Sequence, residues 1–206
     1  MCGIVGFSGI AEKDSRTKFI DLCRQSCIRG VHAFGIAYHT TDGVAVFKST
    51  DFEEVIVAIP DPLPRKIIFH NRYSTSGDYR IMENNQPIFI NGNALVFNGT
   101  VDMGTKAEME ARHGIKMQTD NDGEIVLLDV LAGKPFAHIR NSAATFAGVF
   151  LGKDGNMFAF RNDLRPLWCL NERGCKFICS TIDIAVRAKF DRNNCTPVEP
   201  LKLLYL

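Results

Sequence analysis

Met1-Cys2-Gly3-Ile4-Val5-Gly6-Phe7 opens the chain. Residues 2–8 are a short apolar run with two glycines, which predicts a buried strand with close backbone neighbours. The chemistry rests on Cys2. A small second residue permits excision of Met1, and excision leaves one residue bearing both a thiol and a free α-amine. An α-amine titrates near ~7.7–8.0, so it can take a proton at neutral pH. Such an amine can activate its own thiol without a histidine, which is the logic of an N-terminal nucleophile. If Met1 stays, that mechanism is blocked. Read by itself, Cys2 is more simply a small residue packed in a strand; the surrounding residues change that weighting.

Three more stretches carry polar groups suited to one site. His70-Asn71-Arg72-Tyr73-Ser74-Thr75-Ser76-Gly77 follows the apolar Ile67-Ile68-Phe69. An arginine at a strand end can grip a carboxylate through two parallel hydrogen bonds; the plainer reading is a surface ion pair. Phe97-Asn98-Gly99 follows Ala94-Leu95-Val96. An Asn amide and the next glycine N–H can converge on an oxyanion, and the glycine allows close approach to the backbone; Asn-Gly is also a common turn. Thr119-Asp120-Asn121-Asp122-Gly123-Glu124 precedes a helical pattern. An acid there either caps the helix or meets a substrate ammonium group.

Apolar spacing at Phe19, Ile20, Cys23 and Cys27 predicts a helix over residues 15–28, stopped by Gly30. Helices are also predicted over 106–112, 124–132 and 182–188. Strands are predicted over 35–38, 44–47, 66–73, 94–97, 149–151, 157–161, 167–170, 177–180 and 201–206. The proline-rich residues 59–64 read as a loop before a strand. Strands at both ends with helices between them predict an α+β fold of mostly antiparallel sheets.

The 206 residues suit one domain at about 150 residues per domain. With 24 basic and 23 acidic residues, bulk charge gives no support to a nucleic-acid or membrane partner. No apolar run approaches the roughly 18 residues of a membrane span. Seven cysteines, an odd number, and no basic-then-apolar leader predict a reducing, cytoplasmic setting. Cys23 with Cys27 and Cys175 with Cys179 sit four apart, a spacing read as core packing rather than metal binding. The histidines at 32, 39, 70, 113 and 138 show no ligand spacing, and no cofactor or metal is expected.

In this order, the motifs resemble the class II glutamine amidotransferase domain, a branch of the N-terminal nucleophile hydrolases. The resemblance runs through residues 1–6, Arg29-Gly30 with Gly35, residues 70–77, Asn85-Gln86-Pro87, Asn98-Gly99 and Asn121-Asp122-Gly123-Glu124. It continues through Arg161-Asn162-Asp163-Leu164-Arg165-Pro166-Leu167 to Val198-Glu199-Pro200. It implies a four-layer αββα sandwich as one domain over residues 2–206. It implies Cys2 as the nucleophile, Asn98 and Gly99 as the oxyanion hole, Arg72 for the α-carboxylate of L-glutamine and Asp122 for its α-ammonium. Thr75 would position substrate and Arg29 would support the N-terminus. Ammonia and glutamate would be the products. With no synthetase segment in evidence, the expected partner is a separate ammonia-accepting synthase subunit. A stand-alone hydrolase of another γ-glutamyl amide and an inactive regulatory binding module are the competing readings. The sequence departs from the family at Arg29-Gly30-Val31-His32, where many members carry Arg-Gly-x-Asp, and at Asn121, where Ser is common.

Overall fold

Alternation along the first strand sets the layers. β1 (Gly3–Ser8) turns Val5 and Phe7 to one buried cluster and Ile4 to another. The computed structural model describes residues 1–137 and 143–206, so His138 lies outside the described residues. β1 pairs antiparallel with β4 (Lys66–Arg72) and β10 (Cys175–Cys179). Beyond them lie β2 (Ala33–Thr40), β3 (Gly43–Ser49), β9 (Trp168–Glu172) and β11 (Cys195–Pro197), in the order β11-β9-β10-β1-β4-β2-β3. The second sheet holds β5 (Ile88–Ile90), β6 (Asn93–Thr100), β7 (Thr145–Leu151), β8 (Met157–Arg161) and β12 (Leu204–Tyr205), in the order β12-β8-β7-β6-β5. Every pairing among the described residues is antiparallel.

Ile4, Ala37 and Ile68 of the first sheet meet Ala94, Val96, Ala147 and Val149 of the second. Outside the first sheet, α1 (Ser15–Ser26), α2 (Phe52–Val57) and α5 (Ile182–Arg187) lay Phe19, Leu22, Val55, Ile56 and Ile184 on Val5, Phe7, Phe69 and Phe177. Outside the second, α4 (Gly123–Leu131) lays Val126 and Leu127 on Leu95, Phe97 and Phe146. α3 (Lys106–His113) joins α4 through Met109 and Ile125. The layers therefore run αββα, as expected. Cys23, Cys175 and Cys179 are buried in the outer core of the first sheet. No helix among the described residues is long and apolar enough to cross a membrane.

β5 and β11, three residues each, are not among the strands that the apolar pattern predicts, and other local features differ from or add to the sequence expectation. α2 carries no signal in the apolar pattern, because Val55, Ile56 and Val57 favour strands. Its helix is set by the Asp51 cap, whose carboxylate accepts the Glu53 N–H at 2.8 Å, and by burial of Val55 and Ile56. The last strand covers only Leu204–Tyr205, because the residues from 201 begin in a turn, with Leu201 at φ 56°. Gly30 follows a short 3-10 turn over Cys27–Arg29 with extended backbone, φ 178°. The helical segment thus stops at Gly30, as the sequence expects, and the glycine also allows a close approach. A Cβ there would lie 2.4 Å from the Arg72 carbonyl carbon.

Candidate active site

Two-residue steps carry three strands to one end of the gap between the sheets. Ile4 is inward on β1, so Cys2 two residues earlier shares its side. Ile68 and His70 are inward on β4, and Arg72 follows; the register Gly3↔Asn71 sets Cys2 beside Arg72. Ala94 and Val96 are inward on β6, and Asn98 follows. His70 spans the gap, with Nε2 3.1 Å from the Phe97 carbonyl oxygen. Burial pushes its imidazole down to about 3, so the ring is neutral and Nε2–H donates.

The structure brings Cys2, Arg72, Thr75, Gly99 and Asp122 onto the wall of one cavity. Asn98 adjoins it: the Cys2 backbone N–H donates to Asn98 Oδ1 at 3.0 Å. That donor fixes the amide's orientation, and Asn98 Nδ2 is left buried with no hydrogen-bond partner among the described residues. A buried donor without an acceptor is costly, and here it stands beside the candidate nucleophile. Arg29 lies behind, donating from Nε to the Cys2 carbonyl at 2.7 Å. Met1 caps Cys2 and is 59% exposed.

The Cys2 sulfur sits between the backbone groups of Tyr73, with N–H to sulfur at 3.4 Å and sulfur to carbonyl oxygen at 3.6 Å. Burial pushes the thiol up. The Tyr73 amide, the N-terminal ammonium, Arg72 and Arg29 oppose that rise.

Arg72 and Asp122 are both engaged by the protein. Arg72 is 2% exposed and donates to Asn85 Oδ1 at 2.6 Å and to the Gly77 carbonyl at 3.0 Å; it also donates to the Ser76 carbonyl. Asp122 does not use its side chain to cap α4. Its Oδ2 accepts the N–H of Val101 at 2.6 Å and of Asp102 at 3.3 Å, and its Oδ1 accepts the Ser76 hydroxyl at 3.1 Å. Burial pushes the Asp122 carboxyl up, against the pull of these donors. The local turn before α4 is made by Asn121, whose Oδ1 accepts the Gly123 N–H at 3.0 Å. Gly99 lines the cavity, and a second constraint also keeps it without a side chain. A Cβ there would lie 1.9 Å from the Thr145 carbonyl oxygen, so the close approach it permits is that of β7. The cavity leaves about 10 Å³ open to a water-sized sphere, no more than one water needs.

Sequence reasoning assigned no role to Tyr73, Asn85 or Gln86. Asn85 grips Arg72, and Gln86 Oε1 accepts the Phe97 N–H at 2.5 Å; their signal was the Asn85-Gln86-Pro87 motif. Tyr73 acts through its backbone, which no side-chain pattern discloses. Among the described residues, no three His, Cys, Asp or Glu side chains gather in a metal-binding group.

No family model and no curated protein matches the chain. Solved structures do. The glutamine phosphoribosylpyrophosphate amidotransferase of B. subtilis, solved with ADP and GMP, matches with a TM-score of 0.75 and 19% identity over 99% of this chain and 47% of that one. An allosteric regulatory enzyme of purine biosynthesis matches with a TM-score of 0.75 and 20% identity, over 99% and 46%. The fold is that of the class II glutamine amidotransferase domain. This chain spans about half the length of those two enzymes. A class II glutamine aminotransferase domain protein from Silicibacter pomeroyi shares the amidotransferase fold at a TM-score of 0.59 and 11% identity, over 99% of this chain and 94% of that one.

Proposed function

We propose that this protein hydrolyses the side-chain amide of L-glutamine through Cys2 after excision of Met1. The observation that carries the reading is the meeting of Cys2, Arg72 and Asp122 on one cavity beside Asn98 Nδ2, unpartnered among the described residues. A free amino acid presents one anion and one cation at fixed separation. A site with one complementary charge for each disfavours other amides, because they would leave a buried charge unpaired.

Excision turns the Cys2 nitrogen into an α-amine at the position where it already meets Asn98 Oδ1. The amine takes the thiol proton and sulfur bonds to the amide carbon. The oxyanion draws on Asn98 Nδ2 and the Gly99 N–H. The amine returns the proton to the leaving nitrogen, the C–N bond breaks, and ammonia departs from a γ-glutamyl thioester. Water then attacks the thioester carbon, the C–S bond breaks, and glutamate and the free thiol result. Thr75 helps position substrate and Arg29 supports the N-terminal segment. Ammonia passes to a separate synthase subunit, and no cofactor is needed for the hydrolysis. The unpaired cysteines support a cytoplasmic setting.

The deciding experiment is intact mass before and after treatment with a diazo-ketone analogue of glutamine. Loss of Met1 and one adduct mapped to Cys2 is the expected result. Retained Met1 with no adduct overturns the reading and favours a non-catalytic binding module. Adduct formation without glutamine turnover, even with candidate acceptor enzymes present, points instead to another γ-glutamyl amide.

A further inference from the structure

We infer that His32 is a positioning residue that anchors the base of the loop over residues 73–77 and so keeps the Tyr73 amide on the Cys2 sulfur. The inference rests on the reading of Cys2 as a nucleophile. His32 is half-buried. Its Nδ1 accepts the Ser74 N–H at 3.0 Å, and its own backbone N–H donates to the Arg72 carbonyl at 3.0 Å. Its ring stacks with two tyrosines, with Tyr73 at a centroid distance of 5.0 Å and 24° and with Tyr79 at 4.9 Å and 22°. An acceptor at Nδ1 places the ring proton on Nε2. A carboxylate at this position could accept the same N–H, but it could not stack with the two rings.

Ser74 is the residue after Tyr73, whose N–H lies 3.4 Å from Cys2 Sγ. Holding Ser74 therefore holds the group that touches the sulfur. The far end of the loop does something else. The carbonyls of Ser76 and Gly77 occupy Arg72, and they must withdraw before a substrate carboxylate can reach it. Anchoring at His32 confines that withdrawal to the tip of the loop. The base, and with it the setting of the nucleophile, stays in place.

Two variants separate the acceptor from the ring. His32→Phe keeps an aromatic against the tyrosines and removes the acceptor. His32→Asn offers Oδ1 in place of Nδ1. In His32→Phe, amide exchange at Ser74 should rise about tenfold, the scale of one lost hydrogen bond. kcat for glutamine should fall by more than KM changes, because the contacts at Arg72 and Asp122 are untouched. His32→Asn should restore both exchange protection and kcat. Unchanged exchange in His32→Phe overturns the inference, and so does an asparagine variant no better than the phenylalanine one. If His32→Phe does not fold, His32→Leu takes its place. A wild-type protein without glutamine turnover refutes the functional reading instead, and Ser74 exchange still decides the anchor.

Discussion

Asn98 serves two partners with one side chain. Its Oδ1 holds the Cys2 nitrogen, and its Nδ2 is buried without an acceptor among the described residues. Asn98→Ala should lower kcat for glutamine by roughly 10²–10³, the usual loss for one oxyanion donor; steady-state kinetics at saturating glutamine checks this, and a wild-type kcat would move the oxyanion hole elsewhere. Cys2→Ala should leave the fold intact and remove turnover. Asp122 makes a pH prediction. Its carboxyl is pushed up by burial, and only the ionised form attracts an ammonium group. KM should therefore rise on acidification at a higher pH than an ordinary carboxylate would give. In Asp122→Asn, KM should be high and flat across the same range; an acid rise equal to that of the wild type would assign the titration to another group. At this scale the meeting of side chains was legible. Cys2, Arg72, Asn98 and Asp122 could be named together because the ordered set of motifs resembles the amidotransferase domain, whereas each alone has a plainer reading. The Tyr73 amide could not, since every residue but proline has one.

Strand alternation, more than any single motif, puts the site where it is. Inward residues on β1, β4 and β6 step to one end of the sandwich, and the loops after β4 and before α4 close over it. Gly30 is the contact on which that end of β4 rests. Gly30→Ala would drive a methyl group to 2.4 Å from the Arg72 carbonyl carbon. The expected cost is about 1–3 kcal/mol, as for other overpacked sites, with a lower Tm and a raised KM because Arg72 and Tyr73 move together. Thermal melting and kinetics on one preparation test both; a wild-type KM with a lowered Tm would separate Gly30 from the site. Most strands and most helices could be read from apolar periodicity; β5 and β11, three residues each, are too short to carry a period. α2 could not, because its β-branched run says strand, and capping and burial decide otherwise.

The whole molecule joins residues that local patterns cannot pair. Cys2 meets Asn98 across 96 positions and Ile4 meets Ser180 across 176. Which strands neighbour one another was therefore not open to periodicity, and the layered sandwich was legible through the ordered set of motifs. His70 links the two sheets next to the site, and it makes their union sensitive to acid. Its pKa in the fold is about 3 against an ordinary value of 6.5. The unfolded chain binds the extra proton between those values, so this stability is full above about pH 6.5 and is lost as pH falls towards about 3, at up to ~1.4 kcal/mol per unit. His70→Gln can still donate to the Phe97 carbonyl and does not titrate. Melting from pH 7 down to pH 4 should show a flatter acid limb in that variant, and parallel limbs would contradict the assignment.

The carbonyls of Ser76 and Gly77 occupy Arg72, and on the proposed function they make the protein a rival of its own substrate. On the proposed function, glutamine affinity is the intrinsic affinity multiplied by the fraction of molecules whose loop tip has withdrawn. If that fraction is on the order of one in a hundred, binding is ~100-fold weaker than the site could give. A second protein that favoured the withdrawn tip would then raise glutamine affinity without touching glutamine. Idle consumption of the amino acid would stay low until that protein arrived.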